Sequence, residues 1–287
     1  KVLAERTLPQ LEAHIVAKPE ESLYWGPIAK MPADFSAADR ERLTQAYREA
    51  IETKVVPSYR KLHDYTRDEY LPKTRLSDGM EGLPNGKAWY AYNVKRITTT
   101  DYTPEQIHQI GLDEVKRIHR EMEGVMKQVG FKGTRDEFFK HLNTDPQFFF
   151  DKREDLIGGY DAIRTRVNPQ LPQLFETLPK ADYEVRAVEP FREKSAAGGQ
   201  YQAANEDGTR PGIFYANAYD LRARPKWAME ALSLHEANPG HHFQITLEME
   251  NPNLKVFRRL GSRMVGGAYV EGWGLYSERL ADEMGLG

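Results

Sequence analysis

The spacing of apolar residues predicts helices over the first two-thirds of the chain. Between positions 107 and 125, apolar side chains recur every three or four residues, which is the spacing of one helix face. Thr103 and Gln106 form a capping box in front of this run, and Pro104 takes the first helical position. Gly130 and Gly133 follow the run, so we expect the helix to end there.

Similar signals predict the other helices of this region. Residues 37–55 are rich in helix-forming side chains, and Pro57 is expected to bend or end that helix. Thr134 and Glu137 form a second capping box, which starts a short helix. Residues 151–178 predict one or two further helices.

The pattern changes near residue 180. Residues 183–188 alternate between apolar and polar side chains as a strand does. Residues 201–219 predict a hairpin that turns at Asp207-Gly208. Its second half, from Arg210 to Asn217, is expected to be an edge strand to which an extended peptide can add, so both residues are candidates for substrate binding.

These elements predict a mainly α (α+β) fold with a small β-sheet. Helices resume near Lys226, so we expect a helical region over 1–180. A second region over 181–287 would hold the sheet and the helices of the functional site, packed with the first as one catalytic unit.

Composition excludes several classes of protein. The 287 residues carry a formal net charge of −3. The chain therefore lacks the excess of basic residues that is typical of nucleic-acid-binding proteins. No cysteine is present, which excludes disulfides, thiolate zinc sites and a cysteine nucleophile. No apolar run is long enough for a transmembrane segment, and no targeting segment follows Lys1. We expect the chain to be a piece of a longer protein with its C-terminal part missing.

Three of the eight histidines lie within residues 235–242, and a glutamate follows the first of them. A metallopeptidase needs two neutral imidazoles to hold zinc and a neighbouring carboxylate to accept a proton from water. His235 and Glu236 match the start of such a His-Glu-x-x-His motif, but its last position is Pro239. The alternative is that these histidines cap or pack a broken helix.

Two histidines are candidates for the second ligand. If Pro239-Gly240 loops out as a two-residue bulge, His241 takes the expected place. His242 is the rival, but it is about two helical turns, or 10 Å, from His235. We favour His241 and leave His242 open.

The third ligand is expected to be a carboxylate, because no histidine follows His242 and catalytic zinc takes three protein ligands. Glu271 is preferred, since the neighbouring Gly272 and Gly274 permit close backbone approach to the metal helix. Glu278 shares its helix face and becomes a candidate for orienting a ligand histidine. It also remains an alternative ligand.

Tyr269 and Tyr276 lie beside this segment. A phenol near the metal can stabilise an oxyanion, so Tyr276 is a candidate catalytic residue and Tyr269 an alternate. Packing in the core is the competing interpretation for both. Zn²⁺ is the default ion for such a site, although cobalt, nickel or manganese can use the same ligands.

The motif over 235–242, followed by Glu-Gly-Trp-x-Leu-Tyr-x-Glu over 271–278, resembles the bacterial family known as domain of unknown function 885. Residues 83–86, 103–108 and 210–212 resemble it too. The resemblance runs over essentially the whole chain. It implies a zincin-like, mostly helical fold similar to gluzincin peptidases, with export to the periplasm or cell envelope, often as a lipoprotein.

By the same resemblance His235, His241 and Glu271 look like metal ligands and Glu236 like the general base. The sequence therefore predicts a zinc-dependent metallopeptidase acting on peptides or oligopeptides. A metal-dependent amidase or esterase on a non-peptide substrate and a non-catalytic metal-binding module are the alternatives. Family members continue past the Glu-Gly-Trp segment. Groups needed for activity are therefore expected beyond this fragment, which by itself could bind metal and yet be inactive.

Overall fold

The computed structural model describes residues 1–190, 192–206 and 209–285, with the backbone alone at positions 262–265, 281 and 282. The chain divides into two compact units, Lys1–Lys87 and Ala88–Gly287. It is mainly helical with one small sheet, so the predicted fold class is confirmed. The predicted division near residue 180 separates the helical part of the chain from the part that holds the sheet. The boundary between the compact units lies elsewhere, so this division stays a prediction.

The first unit is helical. Its helices are α1 (Val2–Glu12), α2 (Gly26–Ala29), α3 (Ala37–Ala50) and α4 (Val56–Tyr65). Pro57 does not end the predicted helix, because a π-helical turn over Ile51–Val55 joins α3 to α4. Proline lacks the N–H of a helical bond, and the wider turn before it accommodates that loss.

Four helices begin the second unit, and the capping signals predict two of them. They are α5 (Gly86–Thr98, which starts before the boundary), α6 (Pro104–Gln128), α7 (Arg135–Thr144) and α8 (Arg153–Val167). Both predicted capping boxes are confirmed, with the Thr103 and Thr134 hydroxyls each accepting a backbone N–H three residues on. The chain leaves α6 through Gly130, whose φ of +70° favours glycine.

Three strands form one sheet within the described residues: β1 (Tyr183–Ala187), β2 (Gly199–Gln202) and β3 (Gly212–Ala216). β3 pairs with β1 in parallel and with β2 in antiparallel fashion, so the predicted hairpin is confirmed. β3 is the central strand, and the prediction that it lies at an edge was wrong. The turn predicted at Asp207-Gly208 lies outside the described residues.

The remaining helices are α9 (Met229–Glu236), α10 (His241–Glu250), α11 (Val256–Val265) and α12 (Gly267–Glu283). One buried cluster joins α8, the sheet and α9; it includes Leu156, Tyr160, Tyr183, Phe214 and Met229. A second joins the end of α8 to α9, α10 and the end of α12; it includes Val167, Leu234, Phe243 and Met284. Together the two clusters hold α9 between the sheet and α12.

Candidate metal centre

A sharp break separates the two helices that carry the histidines. α9 ends at Glu236 and α10 begins at His241, with Ala237 and Gly240 at non-helical ψ angles of −115° and −127°. A Cβ at Gly240 would lie 2.0 Å from the carbonyl oxygen of His235, so glycine alone lets the chain pass. The break is therefore wider than the predicted two-residue bulge, and a new helix starts at the second histidine.

The break brings three potential ligands together. The imidazole rings of His235 and His241 stand edge to face with centroids 4.7 Å apart. Glu271, from the first turns of α12, places Oε2 at 3.4 Å from Nε2 of His235 and 3.7 Å from Nε2 of His241. All three ligand atoms lie within 4.8 Å of one another. Glu271 is exposed, so the group opens towards solvent.

The spacing of these atoms fits a zinc ion. Ligands about 2.0–2.1 Å from a tetrahedral zinc lie about 3.3–3.4 Å from each other. The two separations from Glu271, 3.4 and 3.7 Å, are close to that spacing, and all three atoms lie within 4.8 Å of one another. Two imidazoles and one carboxylate are also the donor set that leaves zinc a position for substrate.

Glu278 orients the first histidine. Its Oε1 lies 2.8 Å from Nδ1 of His235, on the side of the ring away from Glu271. With Nδ1 donating to this carboxylate, the Nε2 lone pair of His235 points towards Glu271 and His241. Glu271 and Glu278 are two turns apart on α12, which is why they reach opposite edges of the same ring.

The two glycines of α12 have different surroundings. A Cβ at Gly274 would lie 2.7 Å from Nε2 and 2.8 Å from Cε1 of His235, so the helix passes directly against the imidazole. Gly272 has no such neighbour within 4 Å. The close approach expected from the sequence therefore belongs to Gly274 and not to Gly272.

Gly274→Ala is expected to displace the His235 ring and lower zinc affinity by about 100-fold, an effect of the size seen when ligand orientation is lost. Zinc titration against a competing chelator measures this. Gly272→Ala is the matched control, because an alanine there fills open space. It should keep zinc affinity and stabilise the chain by up to about 1 kcal/mol through helix propensity. Equal zinc affinities for the two variants would contradict the assigned contact.

Glu236 follows His235 in the chain and interacts electrostatically with His235 and Glu271, but it does not belong to the group of three ligand atoms. Its side chain is half-buried, and the backbone N–H of Tyr201 lies near enough to the carboxylate to favour its charged form. Burial raises the pKa of Glu236, while the nearby His235 and the N–H of Tyr201 oppose that rise. A carboxylate with a raised pKa is suited to accept and release a proton.

His241 is nearly enclosed. Burial, followed by the neighbouring His235, lowers its pKa below the usual value for histidine. Its Nδ1 is buried and has no hydrogen-bond partner among the described residues. The ring is therefore held by packing, whereas a carboxylate orients the ring of His235.

His242 turns away from the group. Its ring is 1% exposed, packs against Tyr183 and places Nδ1 at 2.9 Å from the hydroxyl of Tyr201. Burial lowers the pKa of His242 to about 4, so the ring is neutral at pH 7. Of the two histidines that the sequence left open, the structure brings His241 and not His242 to the candidate centre.

The two tyrosines lie on the other side of α12. Glu271, Gly274 and Glu278 share one helix face, and residues 269, 273 and 276 share the opposite one. Tyr276 packs its ring against Trp273, and Tyr269 lines a groove with Trp273. The structure therefore places both tyrosines on the face of α12 opposite Glu271, and their role at the oxyanion stays a prediction.

The two substrate-binding candidates, which lie on either side of β3, have structural partners. The buried amide of Asn217 donates to the carbonyls of Glu193 and Ala196, and its oxygen accepts the N–H of Tyr219. Arg210 donates to the carbonyl of Ala203. Both side chains thus hold the loops around a central strand. The residue that sequence reasoning missed is Tyr201 on β2, because only strand pairing places it beside Glu236.

The comparisons with known proteins agree with the predicted resemblance. The family model described as "Bacterial protein of unknown function (DUF885)" matches residues 1–287, and the chain belongs to this family. No curated protein matches the chain. The crystal structure of the "putative lipoprotein" from Colwellia psychrerythraea is 31% identical, with a TM-score of 0.89 over 99% of this chain. This chain spans about half of that protein, 49% of its length.

Proposed function

We propose that this family member is a zinc-dependent metallopeptidase of the zincin type, which hydrolyses peptide bonds of peptides or oligopeptides. His235, His241 and Glu271 would hold the ion. The observation that carries the proposal is the convergence of these ligand atoms, from three helices, at separations of 3.4 and 3.7 Å. A purely structural metal site has no need of the half-buried Glu236 beside it.

Each of the chain's own residues has a distinct task in this proposal. A bound zinc would act as a Lewis acid that polarises a carbonyl and makes water more acidic. Glu236 accepts the proton of the attacking water and passes it to the leaving amine. Glu278 keeps the His235 ring in its ligating orientation through the 2.8 Å contact.

The sheet supports a peptide as the substrate class. β2 is an edge strand, and its Tyr201 N–H already reaches the carboxylate of Glu236. An extended peptide that pairs with the other outward-facing backbone groups of this edge, and leaves the Tyr201 N–H to Glu236, would bring its own main chain close to the base. β2 thus takes the role that the sequence analysis gave to Arg210–Asn217.

The proposal includes export to the cell envelope, with the protein acting there as a lipoprotein. Its support is the name of the solved relative from Colwellia psychrerythraea. Among the described residues, none of the helices combines the length and apolar character that a membrane span requires.

The test is hydrolysis by the zinc-loaded chain and by the chain stripped of metal with a chelator. Blocked peptides, small amides and small esters form the substrate panel. We expect cleavage of the peptides alone, lost on chelation and restored by zinc, because the base by itself cannot polarise a carbonyl. Mass spectrometry of the products identifies the bond that is cut.

Other results of this panel would assign the site differently. Cleavage of only the amides or esters would replace the peptidase with a metal-dependent amidase or esterase. Zinc binding without hydrolysis of any substrate, repeated with a longer chain that matches the length of the solved relative, would indicate a non-catalytic metal-binding module.

A further inference from the structure

The second histidine of the His241-His242 pair takes no part in the proposed centre, yet it is among the most deeply buried side chains. Its Nδ1 lies 2.9 Å from the Tyr201 hydroxyl and 3.3 Å from Oγ1 of Thr246. His242 and Thr246 both belong to α10, one turn apart, whereas Tyr201 belongs to β2. A buried polar contact therefore ties the edge strand to the helix that begins with His241.

The pairing of the strands decides where the backbone of Tyr201 points. Asn217 donates its N–H to the carbonyl of Gly198, and the register pairs Tyr201 with Phe214. Hydrogen-bonded and non-hydrogen-bonded pairs alternate along an antiparallel ladder, so the pair of Tyr201 and Phe214 is of the second kind. The N–H of Tyr201 therefore points away from β3, towards the open edge of the sheet, where it favours the charged form of the nearby Glu236 carboxylate.

The space around the phenol is tightly defined. A Cβ added to Gly212 would lie 2.6 Å from the Tyr201 hydroxyl and 2.8 Å from Nδ1 of His242. The ring of His242 is confined between Tyr201 and Tyr183, with centroids 5.5 and 4.9 Å away. The hydroxyl and the imidazole thus meet in a site with little freedom, which fixes the strand relative to α10.

We propose that Tyr201 is a positioning residue for Glu236: its phenol, bonded to His242, fixes β2 against α10, and its N–H then holds the carboxylate. This inference rests on the proposed function, in which Glu236 is the base. It gives the second histidine of the motif a role distinct from binding metal. Tyr201 alone connects His242 to Glu236, since its side chain contacts the histidine and its backbone N–H faces the carboxylate.

The test compares four variants by hydrogen exchange at the Tyr201 amide, followed by NMR without metal or substrate. Glu236→Ala removes the acceptor, and Tyr201→Phe removes only the hydroxyl. Each is expected to raise exchange at that amide by about tenfold, since the bond opens locally. His242→Asn keeps a hydrogen-bonding atom near the position of Nδ1 and should retain most of the protection. Tyr183→Phe is the control, because the ring of Tyr183, rather than its hydroxyl, contacts His242.

Zinc content and kinetics separate positioning from general structural support. Tyr201→Phe should bind zinc like the wild type and lower kcat about tenfold with KM unchanged, as expected for a misplaced base. His242→Asn should retain most of the wild-type kcat. Unchanged exchange in Tyr201→Phe, or an equal change in Tyr183→Phe, overturns the proposal. If the wild type cleaves no peptide, the proposed function fails, and the exchange data alone still decide whether Tyr201 holds Glu236.

Discussion

His235→Ala is expected to abolish zinc binding, from about one zinc per chain to none. His235 is the one ligand whose ring is oriented by a carboxylate, at 2.8 Å from Glu278, and it contacts both other members of the group. Three ligands share a binding free energy on the order of 10 kcal/mol, so losing one should weaken binding by about 300-fold or more. Elemental mass spectrometry of the purified proteins measures the metal content.

Two further histidine variants make this result specific. His241→Ala should lose zinc as His235→Ala does, while His242→Asn should keep it, because His242 faces Tyr201 instead. His108→Ala, an exposed histidine on α6, is the control for the loss of any imidazole. One zinc per chain in His235→Ala would exclude the assigned ligand. No zinc in the wild type, even after incubation with the ion, would indicate a structural role for the cluster.

Glu236→Gln is expected to keep zinc and to lower peptide hydrolysis by about 100- to 10,000-fold, the range for a lost general base. The amide keeps the size of the side chain, and its oxygen can still accept the N–H of Tyr201. It cannot take a proton from water at neutral pH. Initial rates at saturating substrate, alongside the metal content, measure the two properties separately.

Glu271→Gln provides the contrast for this prediction. Glu271 contributes a potential ligand atom and Glu236 does not, so the first variant should lose zinc and the second should not. Hydrolysis that survives in zinc-loaded Glu236→Gln would exclude its role as base. Zinc loss in Glu236→Gln and retention in Glu271→Gln would exchange the roles of the two carboxylates.

Local signals in the sequence account for much of the fold. The capping boxes at Thr103 and Thr134 and the alternation over residues 183–188 each depend on neighbours within a few positions. Such signals act through backbone groups or a single face of one element, so they can be interpreted without the rest of the chain. The effect of Pro57 could not be predicted in this way, because it depends on the π-helical turn that precedes the proline.

Pairing between distant segments was harder to predict. The segment from Arg210 to Asn217 has the pattern of a strand whether it lies at the edge or in the centre of a sheet. Its position depends on β1, which lies well before it in the chain and pairs with it in parallel. Because β3 pairs with both other strands, β1 and β2 are the edges of the sheet, and Tyr201 of β2 lies near Glu236.

The sequence by itself determined the candidates for the site: a His-Glu pair, two further histidines and two carboxylates seven residues apart. Only the tertiary structure decided among them. The break between α9 and α10 directs His241 towards His235 and turns His242 to the sheet. The packing of α12 against α9 assigns Glu271 and Glu278 to opposite sides of one ring. The physical reason is that spacing along a helix or strand defines a face of that element, whereas packing between elements defines what the face meets.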